Sequence, residues 1–203
     1  MNVWIYVEGG GTQNKALGTR CRQGFSQFFQ KAGLNPRIVE CGVRSRAYDR
    51  FCTFVRNART DDFPLLLVDS EGPVTLQNPW EHVRSRREDQ WIRPEDASGE
   101  HLHFMVQAME AWFFADQAKI QNFYKHGFRP RVLTQRRNIE EIPKADLFSQ
   151  LELATRDCPK GDYSKGDHSF QILGMIDPAR VRLASPVHAE RLFTVLEAKC
   201  NSG

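Results

Sequence analysis

Three acidic side chains stand at the ends of two apolar runs. Val3-Trp4-Ile5-Tyr6-Val7 stops at Glu8-Gly9-Gly10-Gly11, and Pro64-Leu65-Leu66-Leu67-Val68 stops at Asp69-Ser70-Glu71-Gly72. Carboxylates gathered in one place repel one another and resist desolvation unless a cation neutralises them, and hard divalent ions such as Mg2+ or Mn2+ take oxygen donors of this kind. If the backbone stays extended, the alternation in Asp69-x-Glu71 puts both side chains on one side, so that they share an ion which Glu8 reaches from a neighbouring strand. Gly9, Gly10 and Gly11 carry no side chain to block a phosphate, and their N–H groups are expected to face one at the start of the following helix. The loop has neither the dinucleotide-binding spacing nor that of a P-loop. The plain alternative is that Glu8 closes a turn and Asp69-Ser70-Glu71-Gly72 is a solvated one.

The elements that must position these groups follow from hydropathy. Both runs are short, glycine-bounded and continuously apolar, the pattern of parallel strands covered on both faces, and in such sheets ligands bind at the carboxyl ends. Cys21, Phe25, Phe28 and Phe29 recur at helical spacing within residues 19–31, before Gly33 and Pro36. A second strand over 37–41 and a second helix through Tyr48, Phe51, Cys52 and Val55 complete a strand–helix alternation, which gives right-handed βαβ crossovers. Residues 70–99, rich in proline and polar groups, read as a long surface loop or a small excursion. A fourth strand is expected over 101–106, passing directly into a helix over 107–116. Further helices follow over 145–156 and after Ser185. The expected fold is an α/β, Rossmann-like, mainly parallel sheet with helices on both faces: one domain over 1–203, with an α/β core to about 116 and a mostly helical elaboration over 117–203.

Other residues could join the chemistry. Glu110 and Asp116 are six positions apart, about 600° around a helix, so they face different ways and Glu110, nearer the strand tip, is the better ligand. A surface or capping glutamate is the alternative. His101 and His103 alternate along the expected strand, but no third nitrogen or sulfur ligand is placed near them. His168 is a possible proton shuttle or a neighbour of a helix cap. Arg84, Arg86, Arg87 and Arg93 surround Trp80 and Trp91, while Arg129, Arg131, Arg136 and Arg137 follow Phe123, Tyr124 and Phe128. Such mixtures suit phosphate contacts with stacking surfaces, or form a solvated face. No serine elbow is present.

Bulk properties narrow the classes. A net charge of +3 is compatible with a polyanionic partner without requiring one. Five widely spaced cysteines without a CxxC pair argue against both a zinc knuckle and a disulfide framework. Apolar stretches fall far short of the roughly 20 residues that span a bilayer, and the opening residues lack a leader's basic region, so a cytoplasmic protein without membrane contact is expected.

These motifs resemble the Toprim domain shared by primases, topoisomerases and nucleases of the overcoming-lysogenization-defect (OLD) group. The chain is more closely similar to a bacterial Toprim-like family of unknown function, commonly encoded beside an ABC-type ATPase and suspected of phage defence. The resemblance is carried by YVEGGGT, LLLVDSEGP, HFMVQAMEAWFFAD and YSKGDHSF, in that order. It implies that Glu8 is a general acid/base or metal ligand, that Asp69 and Glu71 are metal ligands, and that Lys165, read as a loop lysine, offsets charge on a scissile phosphate. The implied protein is a Mg2+- or Mn2+-dependent phosphodiesterase acting on DNA or RNA, the effector beside an ATPase, with a homo-oligomer as a further possibility. Asp69-x-Glu71 stands where the usual pattern has two aspartates. That departure favours one rival, a non-catalytic subunit regulating the ATPase; another is a small-molecule phosphohydrolase or nucleotide-binding protein using the same acidic edge.

Overall fold

The computed structural model describes residues 1–10 and 14–200, which form four strands and nine α-helices. In chain order these are β1 (Asn2–Val7), α1 (Lys15–Lys31), β2 (Arg37–Glu40), α2 (Arg44–Val55), β3 (Asp62–Asp69), α3 (Pro79–Ser85), β4 (Leu102–Met105), α4 (Ala111–Phe114), α5 (Gln117–Tyr124), α6 (Lys144–Thr155), α7 (Lys165–Met175), α8 (Pro178–Ala184) and α9 (His188–Cys200). The strands pair in the order β2-β1-β3-β4, all parallel, so the sheet is Rossmann-like, as its apolar runs predict.

Side chains alternate across the pleat and build two cores. Ile5, Val7, Leu65, Leu67 and Met105 pack with Phe25 and Phe28 of α1, Trp112 of α4, Leu173 of α7 and Phe193 of α9. Tyr6, Leu66, Val68 and Phe104 pack on the other face with Phe51 of α2 and Trp80 of α3. The helical second half therefore shares one apolar core with β1 and β3 rather than standing apart. α1 and α7 approach so closely that a Cβ at Gly24 would collide with the Phe170 backbone. That contact seats α7 across the sheet, with its first turn at the strands' carboxyl ends. Among the described residues no helix is long and apolar enough to cross a membrane.

Four local expectations are corrected. Residues 107–116 are not one helix running on from β4: a turn separates the strand from the four-residue α4, and α5 begins only after Asp116. A tertiary bond outweighs propensity there, because the Met109 N–H donates to Asp69 Oδ1 at 2.7 Å. The 70–99 segment contains α3, capped by Asn78, whose side chain accepts from the Trp80 N–H, and started by Pro79. Lys165 is the first residue of α7, not a loop residue. His101 lies in a 3-10 turn before β4, so it shares no strand face with His103.

Candidate active site

The register aligns Val7 with Leu67, so Glu8 leaves β1 beside the last residues of β3. Carboxylate oxygens of Glu8, Asp69 and Glu71 all lie within 4.8 Å of one another. The expected alternation does not produce this for Glu71: β3 ends at Asp69, and Glu71 adopts a left-handed φ of 67°. A turn, pinned by the Glu71 N–H donating to the Gln107 carbonyl at 2.9 Å, swings its carboxylate back over the strand tip.

Cations from three helices face this acidic edge. Arg44, the first residue of α2, reaches Glu8 Oε2 at 3.4 Å and donates to the Asp69 carbonyl at 2.6 Å. Its other nitrogens bind Asp89 at 2.8 and 2.9 Å, and its guanidinium lies over Trp91. Lys144, at the start of α6, is ion-paired with Glu71. Lys165 Nζ lies 3.5 Å from Asp69 Oδ2 and 3.9 Å from Glu110 Oε2. Glu110 is fully buried; its Oε1 accepts from the Tyr163 hydroxyl at 2.8 Å.

The charges respond to this crowding. Burial, reinforced by the neighbouring Asp69 carboxylate, pushes Glu8 up to about 8, and Arg44 and Lys165 offset only part of it. Burial likewise pushes Glu110 up, against the pull of Lys165. Burial raises Glu71 too, but the Lys144 hydrogen bond and charge outweigh it and hold that carboxyl below its ordinary value. Desolvation disfavours the Lys165 ammonium, yet Asp69, Glu110 and Glu8 together raise it to about 12. Three converging carboxylates, one so crowded that it holds a proton near neutral pH, are a donor set that fits Mg2+ or Mn2+. The cavity that Glu8 and Asp69 line, with Gly9, Arg44, Met109 and Lys165, has a volume of about 180 Å3.

Other expected site residues are placed elsewhere or otherwise engaged. The Gly9 N–H donates to the Gly42 carbonyl at 2.7 Å, so it is not free for phosphate. Gly10, at φ 87°, is needed for packing, because a Cβ there would sit 2.8 Å from Gly18 Cα of α1. Gly11 lies outside the described residues. Arg86 is folded inward onto Asp89 at 2.7 Å, whereas Arg84, Arg87, Arg136 and Arg137 are exposed. Of the aromatic rings near them, Trp80, Trp91, Phe123 and Tyr124 are buried, and half-buried Phe128 stacks on Tyr124. His103 is wholly buried, bonded to the Glu100 carbonyl at 3.0 Å, and pushed down to about 3 by that burial. His168 Nδ1 accepts from the Ser164 N–H at 3.1 Å and lies 2.8 Å from the Tyr124 hydroxyl, which makes it a brace for the start of α7.

Sequence reasoning missed Arg44, Lys144, Asp89 and Tyr163. Arg44 had a usable signal, since it follows the carboxyl end of β2, the strand next to β1. No curated protein and no solved structure matches this chain. A family model matches residues 7–197, from the last residue of β1 into α9, so it spans the sheet, the acidic edge and the helices that bring cations to it; the chain belongs to the DUF4276 family, a domain of unknown function.

Proposed function

We propose that this protein is a divalent-metal-dependent phosphodiesterase of Toprim type that cuts nucleic acid. The observation that carries the reading is the meeting of Glu8, Asp69 and Glu71 at the carboxyl ends of adjacent parallel strands, with Lys165 facing them. Glu8, Asp69 and Glu71 would hold a Mg2+ or Mn2+ ion, which when bound supplies Lewis-acid polarisation of a phosphoryl oxygen. Lys165 neutralises charge developing on the phosphate. Glu8, raised to about 8 in the metal-free site, gives up its proton when the ion binds. Arg44 fixes the Asp69 backbone and the Glu8 carboxylate together. A cavity of about 180 Å3 is below the range of roughly 300–1,000 Å3 usual for small-molecule sites, which favours a phosphate within a polymer lying across the edge over a free nucleotide. Exposed Arg84, Arg87, Arg136 and Arg137 would contribute salt-dependent, sequence-independent contacts to the strand. An ATPase partner and a role in anti-phage defence follow from the Toprim-like resemblance alone.

A second reading, a non-catalytic subunit that regulates an ATPase, is favoured by one observation: the Glu71 carboxylate is already satisfied by Lys144. Calorimetric titration of Mg2+ and Mn2+ separates the two. The enzyme reading expects binding by the wild type that is lost in a folded Glu8→Ala/Asp69→Ala variant; no binding at millimolar metal selects the regulatory subunit.

A further inference from the structure

Lys165 occupies an unfavourable place for a cation. It is the first residue of the eleven-residue α7, at the positive end of the helix dipole, where an acidic side chain is the stabilising choice. What offsets the cost is across the gap: Asp69 Oδ2 at 3.5 Å and Glu110 Oε2 at 3.9 Å. Glu110 Oε2 is buried and has no hydrogen-bond partner, and Lys165 is the cation aimed at it. Its other oxygen is fixed by Tyr163, so the carboxylate cannot turn away without breaking that bond. A helix start, a buried orphan oxygen and a strand-tip carboxylate thus converge on one ammonium.

Two-ion phosphodiester sites hold their cations about 3.5–4 Å apart, joined by a shared carboxylate. Asp69 is placed to be that shared group, because it meets Glu8 and Glu71 within 4.8 Å and its Oδ2 faces Lys165 at 3.5 Å. With all four acids deprotonated, as a metal-loaded site requires, Glu8, Asp69, Glu71 and Glu110 face Arg44, Lys144 and Lys165, which leaves the cluster one negative charge in excess. One divalent ion reverses that excess by a single charge. A second would have to displace Lys165 or sit against it.

We propose that this site takes a single divalent ion on Glu8, Asp69 and Glu71, and that the Lys165 ammonium fills the second cation position, with Glu110 as its counter-ion rather than a metal ligand. This inference rests on the metal-dependent reading above. It changes the assignment of Glu110, which sequence reasoning treated as a ligand, and makes Lys165 a fixed charge that needs no exchangeable ion to supply it.

Mn2+ titration followed by calorimetry and electron paramagnetic resonance tests the inference, with circular dichroism to verify the fold of each variant. The wild type is expected to bind one Mn2+ with the hyperfine spectrum of an isolated ion. Lys165→Ala, which leaves Asp69 and Glu110 facing each other without a cation, is expected to bind two, with the broadened spectrum of a coupled pair. Adding Glu110→Gln to Lys165→Ala is expected to return the count to one. Two coupled ions in the wild type overturn the inference while leaving the metal-dependent reading intact, and this arm requires no variant to fold. One ion in both wild type and Lys165→Ala also overturns it. No Mn2+ bound by the folded wild type overturns the metal-dependent reading and this inference with it.

Discussion

Glu110 and Asp116 lie on either side of α4, both are buried, and they have opposite surroundings. Asp116 is met on both oxygens: Oδ2 accepts from the Asp177 N–H at 3.1 Å, and Oδ1 faces Arg180 at 3.9 Å. Those contacts tie the start of α5 to the start of α8, a joint between helices. Glu110 has one oxygen fixed by Tyr163 and the other left open toward Lys165, and burial raises its pKa. A buried acid whose partners are all supplied is scaffold. A buried acid with an open oxygen, beside the Asp69 carboxylate at the tip of β3, is stored electrostatic strain, and strain of that kind collects at sites that bind or react.

The largest difference between the two regions should be in pH dependence. Glu8 is raised from an ordinary 4.5 to about 8, so the folded state holds its proton more tightly than the unfolded chain does. Its contribution to stability is fully present below about pH 4.5 and is lost as pH rises through about 8. In chelator, the melting temperature of the wild type is expected to fall from about pH 5 to about pH 9, and Glu8→Gln to flatten that fall. Saturating Mg2+ should restore stability most at the alkaline end, because metal requires the deprotonated acid. A wild-type profile as flat as that of Glu8→Gln would mean that the acidic edge is not strained.

Asp116→Ala comes next. It removes the acceptor of the Asp177 N–H and the partner of the exposed Arg180 from a buried position, for a cost of about 1 kcal/mol. At this chain length each kcal/mol lowers the melting temperature by roughly 2–4 °C. Mn2+ affinity should not move. A change in affinity would show that the joint between α5 and α8 also positions the acidic edge, and the contrast between scaffold and site would dissolve.

Much of this was legible in the residues. The two apolar runs ending at Glu8 and Asp69 became the central strands, because short, glycine-bounded runs of consecutive apolar side chains suit a strand covered on both faces. What failed was whatever depended on partners distant in sequence. Lys165 was read as a loop residue because Gly161 and Gly166 flank it; Ser164 and Asp167, whose side chains bond at 3.1 Å, were the helix-start signal beside them. Glu71 was placed by strand alternation, but its carboxylate is held by Lys144, 73 residues away, after a left-handed turn. The tryptophans near the arginine clusters looked like stacking surfaces, and the second core claimed them instead. Pattern shows which face is apolar; it does not show which charges that burial will force together.

Glu110→Gln should have the smallest effect, and its sign is informative. The amide keeps an oxygen to accept from Tyr163 and removes a carboxylate whose charged form is penalised by burial. A group with a raised folded pKa stabilises the protein at low pH and loses that contribution as pH rises, so the variant should match the wild type at acid pH and equal or exceed it at alkaline pH. The gain is limited to about 1 kcal/mol or less, because Lys165 loses one of the acids that hold it at the head of α7. Denaturant midpoints at the two pH values measure it. A loss as large as that of Asp116→Ala at either pH would place Glu110 with the scaffold, as an ordinary satisfied acid, and would remove the reason for regarding its open oxygen as part of the site.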